Sequence, residues 1–263
     1  MQLRVITATR YVTPLREGGS LPAIVEGDDD GLYVLKFRGA GQGARALVAE
    51  LLAGEIARTL GLPVPEIVLA NLDADLARTE PDPEIQALIR ASAGCNLALD
   101  YLPGATMFDP LVDRPDAALA SSIVWFDALV SNVDRTARNP NLLMWHRRLR
   151  LIDHGAALYF HHADGDFQGR SGDPFTRIAD HVLLPLASDL AGVDAELAEH
   201  LPPAVLRDIA AAVPDDWLRD GAAGGNQAEA SSRRAAYVDY LCARIAARRT
   251  FIAEAQRARA LHV

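Results

Sequence analysis

The stretch Val133-Asp134-Arg135-Thr136-Ala137-Arg138-Asn139-Pro140-Asn141-Leu142-Leu143-Met144-Trp145-His146-Arg147-Arg148-Leu149-Arg150-Leu151-Ile152-Asp153-His154 decides how the chain is read. It holds Asp134, then Asn139 five residues on, then Asp153 fourteen residues after that. Two short apolar runs, Leu142–Trp145 and Leu149–Ile152, flank the basic tip His146-Arg147-Arg148, and this pattern predicts a β-hairpin. A hairpin folds back on itself, so Asn139 before the first strand and Asp153 after the second come to lie at one end. Asp134 sits on the loop leading in. An amide and a carboxylate offer the hard oxygens that magnesium takes. A second carboxylate nearby can orient a hydroxyl nucleophile. The stretch therefore reads as the centre of a phosphoryl-transfer site.

The totals bound the alternatives. With 263 residues, half of them hydrophobic, the chain can bury a sizeable core as one large domain or two lobes. A net charge of −9 argues against a nucleic-acid surface, which needs a basic stripe. Cys95 and Cys242 form neither a disulfide framework nor a zinc pattern, so a reducing cytoplasm is the expected setting. The first residues lack the apolar core of a signal peptide, and no apolar run approaches the length of a membrane span. One lysine, Lys36, stands against 25 arginines. Lysine is a compact point charge on a flexible stem, whereas arginine is a planar fork. A lone lysine in such a chain marks a place where a fork does not fit.

Outward from the hairpin, the first hundred residues predict strands at 3–9, 21–26, 32–37, 67–72 and 97–102, with Lys36 near the end of the third. Gly18-Gly19-Ser20 lies in the first turn and could set backbone N–H groups against phosphate oxygens, although a Gly-Gly-Ser turn is also ordinary hairpin chemistry. Arg45–Leu60 has helical spacing and is closed by Gly61, Pro63 and Pro65. It carries Glu50 and Glu55, about 140° apart around the axis, so at most one of them reaches Lys36. Residues 73–92 read as an acidic helical insertion broken by Pro81 and Pro83. Beyond residue 105 the pattern is helical apart from the hairpin: 117–130, then everything from Phe175 to the end, including a loop at 221–232 and one long helix over 235–260. Asp127, inside the first of these helices, reads as a structural hydrogen-bonding residue. The polar loop 161–173 has few apolar anchors and reads as mobile. The layout is α+β, a β-rich part over residues 1–102 and a mainly helical part over 103–263.

The order of strand lysine, helix glutamate, Asp-x4-Asn, hairpin and Asp-x-Gly resembles the protein-kinase signature set. Val133-Asp134-Arg135 and Asp153-His154-Gly155 depart from His-Arg-Asp and Asp-Phe-Gly, which disfavours an ordinary eukaryotic protein kinase. Tyr33-Val34-Leu35-Lys36-Phe37, the Ala49–Pro65 helix and its exit, Asp100-Tyr101-Leu102-Pro103-Gly104, Phe126–Leu143 and Leu151–Phe160 together resemble the bacterial HipA-like kinases over about residues 30–185. The resemblance implies a two-lobed protein-kinase-like fold, with 1–102 as nucleotide-binding lobe and 103–263 as catalytic and substrate lobe. It implies ATP and Mg2+ as cofactors, Lys36 on the α/β phosphates, Asp134 as catalytic base, and Asn139 and Asp153 as magnesium ligands. The five-residue spacing selects Asn139 over Asn141. Asp100, Tyr101 and Leu102 correspond to the hinge that meets adenine. Distance to Gly61-Leu62-Pro63 favours Glu50 as the partner of Lys36, while helical phase favours Glu55.

The acceptor this implies is a Ser/Thr hydroxyl of a protein. A small-molecule or lipid phosphotransferase of the same fold, or an ATP-binding pseudokinase scaffold, are the alternative readings. HipA toxins carry an extra N-terminal subdomain for which the first strand leaves no room, so an antitoxin partner is doubtful. Neither a nucleic acid nor a membrane is expected as a partner. Arg135 and Arg138 flank the base and read as paired to acidic neighbours rather than as phosphoryl ligands.

Overall fold

Five strands that alternate apolar and polar residues close into a barrel in the order β1-β2-β3-β5-β4. They are β1 (Val5–Pro14), β2 (Ala23–Gly27), β3 (Leu32–Lys36), β4 (Ile67–Leu72) and β5 (Gly94–Asp100). All neighbouring pairs are antiparallel except β1 with β4, which closes the barrel in parallel. These coordinates are a computed structural model that describes residues 2–15, 21–41, 43–162, 167–219 and 227–261. Gly18, Gly19 and Ser20 lie outside the described residues. Ile6, Val25, Tyr33, Leu35, Val68 and Ala98 fill the barrel. The acidic insertion covers this core with Ile85 and Ile89 from α2 (Pro83–Ala91). Pro83 starts that helix rather than breaking it, because a proline at the first helical position loses no hydrogen bond. Asp82 caps it through the N–H of Glu84. A 3-10 turn at Ala74–Thr79 precedes it.

The helix α1 (Gly43–Thr59) is unusual in being enclosed on all sides. All eleven residues from Leu47 to Ala57 are buried. The barrel strands β4 and β5 lie on one side of it, and the C-terminal α5 (Pro203–Ala211) and α6 (Asp215–Leu218) on another. Gly54 permits the close approach to the barrel: a Cβ there would sit 2.4 Å from Ile67 Cδ1. Trp217 of α6 ties across to the barrel by donating its indole N–H to the carbonyl of Cys95 at 3.1 Å.

A second sheet, β6 (Thr106–Met107), β7 (Leu142–Trp145) and β8 (Arg148–Leu151), follows the barrel. The hairpin β7–β8 stands where the sequence places it, turning on His146 and Arg147, both at positive φ of 48° and 60°. This backbone is that of the two-residue turn whose twist matches the strands. The short β6 has no sequence signature; its two residues extend the hairpin by pairing with Met144 and Leu143. The apolar α3 (Ala117–Leu129), capped by Asp116, runs beneath, and α4 (Leu190–Glu199), α7 (Gln227–Ala246) and α8 (Arg249–Arg259) complete the mixed α/β fold.

The helical reading of the C-terminal part needs three corrections. Residues 175–189 form short 3-10 turns at Thr176–Asp180 and Leu184–Leu186, not helix. His181 bonds Asp127 through Nε2 and accepts the Leu183 N–H at Nδ1, and Pro185 lies within the second turn. The long helix begins at Gln227, inside the expected loop, and breaks between Ala246 and Arg249 into α7 and α8. The expected mobility of 161–173 falls partly on residues 163–166, outside the described residues. The remainder is anchored by Phe167, stacked on Tyr237, and by Gln168, whose amide donates to the Ala236 carbonyl.

Candidate active site

Lys36 ends β3, opposite Leu97 of β5, so the barrel ladder fixes where its stem starts. Its Nζ lies 2.6 Å from Asp153 Oδ1 and 3.8 Å from Glu50 Oε2. Glu50 is 1% exposed on the enclosed α1, and its Oε1 is buried with no hydrogen-bond partner. Glu55 is on another face, 3.5 Å from Arg58. The lysine partner is therefore Glu50. Helical phase pointed toward Glu55 because it assumed one apolar stripe, and a helix buried all round has none.

The charges of this cluster answer to burial and to each other. Burial opposes the charge on Lys36, but Glu50 and Asp153 outweigh it and hold the ammonium above the ordinary lysine range. Burial likewise opposes ionisation of Asp153, and Lys36 overcomes it, so the carboxyl sits below its usual range. For Glu50 burial wins, pushing its carboxyl up despite Lys36. Asp153 adopts positive φ, 54°, an uncommon conformation for a non-glycine residue that aims its side chain at Lys36. Forty per cent of its side chain remains exposed.

At the other side of the hairpin mouth, Asp134 Oδ2 accepts from Asn139 Nδ2 at 2.8 Å and from Asn141 Nδ2 at 3.3 Å. The Asp134 backbone N–H donates to Asn132 Oδ1 at 3.1 Å. The hairpin brings the two ends together as its pattern requires: Ile152 N–H donates to the carbonyl of Asn141 at 3.0 Å. Asp100 ends β5 and Tyr101 and Leu102 follow it, where the Tyr101 N–H donates to Leu32 and Trp145 holds the Pro103 carbonyl. They lie three to five residues along the chain from Leu97, which faces Lys36, on the order of 10–17 Å if the chain stays extended.

Beneath both groups lies a buried network. Arg135, 1% exposed, pairs with Asp127 of α3 through Nε–Oδ2 at 2.5 Å. The same guanidinium donates to the carbonyls of Asn141 and Ile152 and to His154 Nδ1 at 3.2 Å. Asp127 also accepts from Asn132 Nδ2 and from His181 Nε2, each at 2.9 Å. Burial alone would raise the Asp127 carboxyl; Arg135 and then His181 reverse this and hold it far below the carboxylate range. His154 is pushed down to about 3 by burial and by the Arg135 charge. Arginine only donates, so His154 Nδ1 accepts and Nε2 carries the proton. That Nε2 is buried with no hydrogen-bond partner.

A lysine–glutamate–aspartate cluster, beside an aspartate held by two asparagines, is an arrangement suited to gripping phosphates and a hard cation. Residues 9–238 match the family model described as HipA-like kinase. The chain belongs to the HipA-like kinase family. It is thus a phosphotransferase, and membership of a kinase family implies use of ATP. No curated protein sequence matches it. Its fold is similar to that of the Helicobacter pylori proinflammatory kinase CtkA, with a TM-score of 0.56 at 14% identity over 99% of each chain. It is also similar to the Golgi casein kinase with Mn and ADP bound, with a TM-score of 0.49 at 11% identity over 99% of this chain and 75% of that one.

The structure brings together Lys36, Glu50 and Asp153 as one group, and Asp134 and Asn139 as another. Asn132, His154 and His181 carry no signal in the sequence as parts of the network, and Asn141, set aside there in favour of Asn139, also bonds Asp134. It anticipated that Asp127 is a structural hydrogen-bonder and that Arg135 pairs with an acid, but not that they pair with each other. Their spacing of eight residues across a helix end gives no local signal.

Two predictions follow from the buried network. Asp127→Asn leaves Arg135 as an uncompensated buried charge and should lower unfolding free energy by about 3–5 kcal/mol in urea titrations. His154 is neutral in the fold, while the unfolded chain protonates it below its ordinary pKa near 6.5. The stability it contributes is therefore complete above that pH and is lost as pH falls toward about 3. Between pH 7 and pH 5 this amounts to about 2 kcal/mol. His154→Asn keeps an acceptor for Arg135 but cannot titrate, so its urea midpoint should fall less steeply over that range.

Proposed function

We propose that this HipA-like kinase transfers the γ-phosphoryl group of ATP, with Mg2+, to a Ser/Thr hydroxyl of a protein. The observation that carries the reading is the pairing of Lys36 with Asp153 and Glu50, next to an Asp134 carboxylate fixed by Asn139. The donor set suits a hard divalent ion: the Asp153 carboxylate is partly exposed, and the Asn139 amide spends its N–H on Asp134 and keeps its oxygen. Asn139 and Asp153 would hold the ion. Bound there, it would neutralise charge on the phosphate oxygens.

The chain's own residues do the rest. Lys36, held by Glu50, would place its ammonium on the non-transferred phosphates. Asp134 accepts the proton of the acceptor hydroxyl as its oxygen bonds to the γ-phosphorus and the bond to the ADP oxygen breaks. Asn139 and Asn141 fix the Asp134 carboxylate so that little reorganisation accompanies transfer. Asp100, Tyr101 and Leu102 serve adenine, with residues 1–102 as the nucleotide-binding lobe and 103–263 as the catalytic and substrate lobe. The free thiols Cys95 and Cys242 suit a reducing cytoplasm.

Asp134→Asn preserves shape and hydrogen-bonding reach but removes the base. Turnover of γ-labelled ATP should fall by about 10²–10⁴-fold, while ATP with magnesium still raises the melting temperature. Undiminished turnover in this variant would remove Asp134 from the mechanism.

A further inference from the structure

The tip of the β7–β8 hairpin, away from the candidate site, has a cationic side with no part in phosphoryl transfer. A groove of about 490 Å3 opens there between the hairpin, the segment leading into α3, and the exit of α1. Arg114, Arg147, Arg148 and Arg150 line it against only Asp113 and Asp116. On a chain of net charge −9 this is a local reversal of sign. Both aspartates are engaged with backbone: Asp113 accepts the N–H of Asp109 and Asp116 that of Leu119, each at 2.8 Å. Many arginines elsewhere hold carboxylates, as Arg10 holds Glu26, Arg248 holds Asp194 and Arg257 holds Glu254. Among the described residues no carboxylate pairs with Arg147 or Arg148, and Arg150 lies over the Trp145 ring at 5.4 Å. Immediately beside the groove, Leu111 and Val112 are 82% and 74% exposed.

We infer that this groove docks an acidic segment of the protein acceptor, with an apolar residue of that segment against Leu111 and Val112. The inference rests on the protein-acceptor reading above. The charge complementarity is specific to a short occupant. A nucleic acid strand needs a longer basic track than four arginines on a chain of net charge −9 provide, whereas a peptide of a few residues needs only the groove. The geometry suits docking as opposed to catalysis. Four-residue strands separate the hairpin tip from its mouth by about 13 Å, so an extended segment of about four or five residues spans the distance. Cationic capture at that distance raises encounter rate and lowers KM, leaving the transfer step unchanged.

The test is fluorescence anisotropy with a fluorescein-labelled heptapeptide that alternates glutamate or aspartate with leucine. The full chain should bind it saturably, and binding should weaken as ionic strength rises through about 0.15 M. The double variant Arg147→Glu with Arg148→Glu alters only exposed tip residues. It should bind the peptide at least tenfold more weakly, while ATP turnover without peptide and the melting temperature stay as in the wild type. Arg150→Gln, a neutral change on a different strand position, should weaken binding by a smaller factor. Absence of saturable binding, or equal binding by the double variant, overturns the docking site. So does tighter binding of a poly-dT oligonucleotide or of phosphatidylserine vesicles than of the peptide. Because anisotropy needs no turnover, failure here leaves ATP turnover standing, whereas failure of the kinase reading removes turnover and leaves peptide binding.

Discussion

Between α3 and the mouth of the hairpin, Asp127 and Arg135 share a dry interior in which neither charge could survive alone. Their pairing satisfies the desolvation of both only because every remaining donor and acceptor is also used. Arg135 spends its other N–H groups on Asn141, Ile152 and His154; Asp127 spends its other lone pairs on Asn132 and His181. One ion pair thus fixes the loop that carries Asp134, the start of β7 and the end of β8. Asn141, at positive φ, is held there by Arg135 on its carbonyl.

A second constraint comes from α1. A helix that carries a glutamate on an exposed face can swing; this one is packed on the barrel and on α5 and α6 at once, and its eleven central residues are buried. Glu50 is therefore delivered to Lys36 by the core itself. What remains adjustable is the Lys36–Asp153 contact, the pairing in this cluster whose aspartate is partly open to solvent. Rigid support beneath and one exchangeable ion pair above is a division suited to admitting a charged ligand without refolding the site.

Much of this was legible in the sequence, and the limits have physical causes. The hairpin and the exceptional Lys36 are local patterns, and the ladder and turn geometry place them as read; Asn139, expected beside Asp153, instead bonds Asp134, while Asp153 pairs with Lys36. The barrel strands follow from β-forming runs separated by polar turns. Glu50 could not be chosen over Glu55 from the sequence, because a helix enclosed on all faces gives no phase. The 3-10 turns over 175–189 were misread as helix because alanine and leucine favour helix locally, while His181, needed by Asp127, holds the backbone otherwise. The Asp127–Arg135 pair was invisible as a pair: each residue is ordinary in its own segment, and only the fold sets them together. Phe167 was overlooked as an anchor of the 161–173 loop, since a single aromatic in a polar run shows no periodicity.

The central claim is that Asp153, with Asn139, offers a cation site coupled to nucleotide binding by Lys36. Calorimetric titration of ATP in the presence and absence of Mg2+, on the wild type and on Asp153→Asn, addresses it most directly. The account predicts that Mg2+ tightens ATP binding at least tenfold in the wild type and that this enhancement disappears in the variant. Equal ATP affinity with and without Mg2+ in the wild type, or full enhancement retained by Asp153→Asn, would contradict it.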